Sequence, residues 1–136
     1  MELPLDPHMA LIDLPFGTPR RQVKTFFSGE PQPFRRSSVS REGDYWPDLG
    51  VFASYAEADT LEGLKLSAPA DPSLSGKILT VLPLQEAKQL LRRLDDAMEE
   101  KGEAAISKRY GIAVWTSAGM HGNVKAVLRF APGYYD

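Results

Sequence analysis

No cysteine occurs anywhere in the 136 residues. That excludes a disulfide framework, a thiol nucleophile and a thiolate metal site, and it makes a reducing cytoplasm the simplest expected location. Histidine is nearly absent as well: His8 lies in a proline-rich arm and His121 in a glycine-rich turn. Neither has the sequence-local partner that a zinc site or an activated nucleophile would show. Phosphate-cradling glycine patterns and the G-x-S-x-G setting of a hydrolase serine are missing too. No segment approaches the roughly 18 consecutive apolar residues of a membrane span. The opening MELPLDPHMALIDLP carries acids and prolines where a secretory signal would need a basic start and an unbroken apolar run. A formal charge of only −2 gives no basic excess for nucleic acid. These absences lead to an expectation of a cytoplasmic chain with no cofactor, no metal, no nucleic acid and no membrane as partner.

What is present has the composition of one ordinary globular domain spanning residues 1–136, with 43% hydrophobic and 25% charged residues. Residues 1–15, interrupted by Pro4, Pro7 and Pro15, read as an irregular arm with a short strand near Met9 to Ile12. FGTPRRQVKTFFSG predicts a helix with Thr18 as N-cap, Pro19 at the first helical position and Gly29 at the left-handed C-terminal position, burying Val23, Phe26 and Phe27. One edge strand is expected near Phe34 to Val39. Val51–Tyr55 and Thr60–Ser67 flank a polar Ala56–Asp59 connection and predict a hairpin. KILTVL after Gly76 reads as a central strand. Pro83 opens a long helix from Leu84 to Lys101, with Leu84, Ala87, Leu90, Leu91, Leu94, Ala97 and Met98 on one stripe and Gly102 beyond it. A second hairpin follows, Ile112–Thr116 and Val124–Phe130, around a turn containing Gly119, Gly122 and Asn123.

The order predicts an α+β fold, an antiparallel sheet of about five or six strands with two main helices packed on one face. The two hairpins open alike, on Gly50-Val51-Phe52 and Gly111-Ile112-Ala113. The architectural reading is that each glycine frees the backbone where a strand begins; the alternative is one binding device used twice.

Candidate functional residues fall into two groups. Arg20 and Arg21 at a helix N-terminus oppose the helix dipole, and with Arg35 and Arg36 they form a candidate anion-binding site. Asp44, Asp48, Glu57, Asp59 and Glu62 could supply an acid/base pair, but solvated surface charge is the plainer account. Asp44-Tyr45-Trp46-Pro47-Asp48 reads as a loop carrying two large rings between acids, of the composition interfaces favour. Tyr45, Trp46, Asp48, Glu57 and Asp59 are therefore candidate partner-binding residues. Trp46 has the alternative of folding back onto the sheet. Trp115 lies either beneath a helix or on an open sheet face.

The combination of L-P-F-G-T-P-R-R-Q-V, G-V-F-A-S-Y, L-P-L-Q-E-A-K-Q-L-L, G-I-A-V-W and the terminal A-P-G-Y-Y-D resembles small bacterial immunity proteins that accompany polymorphic or contact-dependent toxins, across about residues 14 to 136. The resemblance implies a non-enzymatic cytoplasmic protein that binds and neutralises one cognate toxin, with no catalytic residues to carry across. The alternative is a small enzyme or ligand-binding protein using a cleft beside the first helix.

Overall fold

The computed structural model describes residues 2–5, 9–35, 37–38, 41–117 and 122–134. Eight strands form the main sheet, every neighbouring pair antiparallel. In chain order these are β2 (Gln32–Phe34), β3 (Gly43–Trp46), β4 (Val51–Tyr55), β5 (Leu61–Ser67), β8 (Glu99–Lys101), β9 (Ala104–Ser107), β10 (Ile112–Trp115) and β11 (Ala126–Phe130). Across the sheet they lie β2-β3-β4-β5-β11-β10-β9-β8. The α+β class and the antiparallel sheet agree with the sequence reading, whereas five or six strands was too few. The strands without a counterpart in that reading are short: β8 has three residues and β3 and β9 have four, too few to show a period of two, while the edge strand expected near Phe34 to Val39 is β2, lying earlier at Gln32–Phe34.

A second sheet joins β1 (Glu2–Pro4), β6 (Asp71–Leu74) and β7 (Lys77–Ile78), with β1 parallel to β6. The arm is thus core material: Leu3, Leu5, Ala10, Leu11 and Leu14 are all buried. KILTVL is not a central strand, because only Lys77 and Ile78 pair before Leu79–Val81 turns as a 3₁₀ helix and leaves Val81 in solvent.

Helix α1 (Arg20–Phe26) is shorter than its sequence suggests, and Pro19 rather than Thr18 holds the N-cap position. The Thr18 hydroxyl donates instead to the Pro15 carbonyl. Val23 and Phe27 are buried as expected, but Phe26 is exposed. Helix α2 (Leu84–Leu94) stops well before Lys101. Asp95 leaves the helical conformation, its carboxylate accepting from the Ala97 amide at 3.0 Å and the Ser107 hydroxyl at 2.8 Å. This is the local side-chain capture by which Asp competes with a continuing helix. The chain then re-emerges as the edge strand β8, whose Glu-Glu-Lys sequence is exposed and protects the sheet edge with charge.

Both helices pack on the same face. The Phe27 ring lies 4.9 Å from Trp46, and α2 lies against β9 and β10. The paired row Trp46, Val51, Leu66, Val127, Val114 and Ala105 crosses this inner face and joins Val23, Leu84 and Leu91 in one buried cluster.

The matching openings of the two hairpins have one structural cause. Gly50 and Gly111 both take positive φ, +70° and +65°, and each carbonyl accepts an amide from the neighbouring strand, Ser67 and Phe130 respectively. A Cβ at either position would lie about 2 Å from a backbone oxygen, 1.9 Å at Gly50 and 2.1 Å at Gly111. Left-handed conformation and close backbone approach each call for glycine, so the repeat is architectural at both positions.

Candidate functional site

Asp44, Tyr45 and Trp46 belong to β3 and not to a loop. Since successive strand residues face opposite sides, the rings of Tyr45 and Trp46 are separated by the sheet: Trp46 is 2% exposed on the inner face and Tyr45 is 36% exposed on the outer one. Trp46 is packed on Phe27 and its indole N–H donates to the Gly29 carbonyl at 3.3 Å. It is core, so the partner-binding role assigned to it from sequence is corrected. The remaining candidates do not assemble either. Asp48 lies in the turn that enters β4, while Glu57 and Asp59 lie in the turn that leaves it, at opposite ends of a five-residue strand.

The candidate anion site is corrected as well. Arg20 Nε and Nη2 donate to the two Asp44 carboxylate oxygens at 3.0 and 2.7 Å, and the Tyr55 hydroxyl donates to the same carboxylate at 2.8 Å. Glu42 and Asp59 approach Arg20 at 3.7 and 4.0 Å, so the guanidinium sits among carboxylates, an environment that repels an anion. Arg21 points to solvent, Arg35 lies 4.0 Å from Glu42, and Arg36 falls outside the described residues, as do His8 and His121. Burial works against the Asp44 carboxylate, but the hydrogen bonds from Arg20 and Tyr55 outweigh it and hold its pKa below the ordinary carboxylate value. Burial, followed by the bond to Asp44, raises Tyr55 well above an ordinary phenol. Asp44 is 1% exposed with both oxygens engaged. It therefore acts as a clamp fastening α1 to β3 and β4, closed to a substrate. Among the described residues, no group of three or more acids and histidines is disposed to hold a metal ion.

Openness is found on the other side. The outer row runs Tyr45, Phe52, Lys65, Leu128, Ala113 and Ile106; its Ala113 and Ile106 end is buried with Phe130 in a second apolar cluster against which Leu128 and Tyr134 pack, while Trp115 lies in the next row beside Ala126 and Ala104. Phe34 and Trp115 are each 45% exposed. Phe34 stands edge-on to Phe52 with ring centroids 5.2 Å apart, and Tyr45 lies 6.4 Å from Phe52. Beside these rings is a groove of about 540 Å³ lined by Phe34, Tyr45, Gly50, Phe52, Lys65 and Ser67. This surface offers apolar contact area, one ammonium and two hydroxyls, those of Ser67 and Tyr45, a composition suited to binding. Of its residues, sequence reasoning singled out only Tyr45 as a partner contact and left Trp115 between two settings. The alternation that turns Lys65 away from Leu64 and Leu66 was visible, but the order of strands that brings Phe34, Phe52 and Lys65 together was not.

No helix among the described residues is long and apolar enough to cross a membrane. Comparison with known protein families, with curated proteins and with solved structures finds no match.

Proposed function

We propose that this protein is a non-enzymatic binding protein, an immunity protein that neutralises a cognate bacterial toxin, and that it engages the toxin through the outer face of the main sheet. The observation that carries the reading is the set of exposed rings on that face, Phe34 and Tyr45 beside the half-buried Phe52, and Trp115 three strands away on β10. Large rings on a fixed scaffold provide contact area at low rotamer cost and dominate many interfaces. A paired eight-stranded sheet supplies that scaffold. The immunity class rests on the sequence resemblance across residues 14 to 136.

The test is protection. Cells expressing the toxin domain encoded beside this gene should survive when they also express the wild-type chain and die when it carries Trp115→Ala together with Phe34→Ala. Absence of protection by the wild type would remove the immunity reading; full protection by the double variant would remove the outer face from it.

A further inference from the structure

We propose that the groove beside β3, β4 and β5 is a binding site for a small amphipathic carboxylate, an organic acid whose apolar body lies on the aromatic wall and whose anionic group meets Lys65 and Ser67. The site shares the outer face with the proposed partner surface but does not depend on a toxin being bound.

Three features define the occupant. The volume of about 540 Å³ falls within the range of small-molecule sites. One wall is aromatic, with the rings of Phe34 and Tyr45 5.2 and 6.4 Å from Phe52, so the ligand must carry an apolar and preferably flat body. The other wall carries the charge. Lys65 stands directly across from Phe52 on β5, and Ser67 follows on the same face about 7 Å further along the strand. Among the described residues, Lys65 has no ion-pair partner and Ser67 no side-chain hydrogen bond. Among the described residues, no acid lines the groove. An anion is thus the complement on this wall: Lys65 supplies the charge, and the Ser67 hydroxyl can donate to one carboxylate oxygen. Gly50 lies at this end of the groove. Cationic or purely apolar ligands would leave the ammonium beside a like charge or desolvated without compensation.

Amide-detected NMR titration of the full chain with 2-naphthylacetate, and with its neutral isostere 2-naphthylacetamide, tests the assignment. The acetate should shift amides of β3, β4 and β5 and bind more tightly than the amide by about three- to fivefold, the scale of a solvent-exposed ion pair. In Lys65→Gln that preference should vanish while amide binding persists. In Phe34→Ala, an exposed position that leaves the fold intact, both probes should weaken by about the same several-fold factor. The proposal is overturned if neither probe binds, if the two bind the wild type equally, if Lys65→Gln keeps the preference, or if the shifts map away from the groove. None of these outcomes bears on toxin protection, which is read separately.

Discussion

The two faces of the main sheet are made from alternate residues of the same strands, yet they treat polar groups in opposite ways. The inner row Asp44, Ala53, Leu64, Arg129, Ile112 and Ser107 admits three polar side chains beneath the helices, each with partners. Asp44 is held by Arg20 and Tyr55, and Ser107 donates to Asp95. Arg129 donates to the carbonyls of Met9, Ala10, Tyr110 and Gly111, tying the N-terminal arm to the sheet. Among the described residues no buried side-chain nitrogen or oxygen lacks a partner. On the outer face Lys65 and Ser67 keep their bonding capacity for solvent or ligand, and rings stand exposed. Buried polarity is tolerated where it is fully satisfied. The contrast separates a face whose interactions are used up in folding from one that can still take part in recognition.

The largest effects should come from removing inner-face bulk. Trp46→Ala should destabilise the fold by about 3 to 5 kcal/mol, and Leu91→Ala in α2 by about 2 to 5 kcal/mol, through lost burial and the cavity left behind. Denaturant unfolding measures both; a loss under ~1 kcal/mol at either position would place that side chain outside the core.

Next comes the clamp. Asp44→Ala should cost about 2 to 3 kcal/mol, below the range for fully buried pairs because Arg20 keeps some access to water. Its pH dependence sharpens the point. Asp44 has a lower pKa folded than unfolded, so between the two values the unfolded chain binds more protons and stability rises with pH. The contribution is complete above the unfolded value near ~4 and is lost as pH falls through the folded one. Asp44→Asn should therefore flatten the stability curve below about pH 4 relative to the wild type. Parallel curves for the two proteins over that window would show that Asp44 does not carry this linkage.

The smallest effect belongs to the outer face, where Trp115→Ala should change unfolding free energy by less than about 1 kcal/mol. A drop as large as that of Trp46→Ala would erase the distinction between the faces.

Much of the fold was legible because its longer elements carry their own period. The Val51–Tyr55 and Leu61–Ser67 hairpin, the Ile112–Trp115 and Ala126–Phe130 pair, and the leucine stripe of α2 all follow local alternation or 3.6-residue spacing. What failed was local competition and short length. Asp95 ends α2 by reaching Ser107, twelve residues away, although Met98 still fits the helical stripe. GDYW, bounded by Pro47, has too few residues to display alternation, so its two rings looked like one patch when the sheet divides them. The candidate site was less legible still. Phe34, Phe52 and Lys65 lie on three strands, and only the tertiary register makes them neighbours. Arg20 looked like an unpaired cation because its partner Asp44 lies 24 residues further along the chain.

The central claim, that the outer face is the recognition surface and the inner face the structural one, is tested most directly by the affinity of folded Trp115→Ala for the toxin domain proposed as its partner. The account predicts a loss of roughly 2 kcal/mol or more in binding free energy, as for an interface hot spot, with unfolding stability retained. Unchanged affinity in a variant of unchanged stability would contradict it.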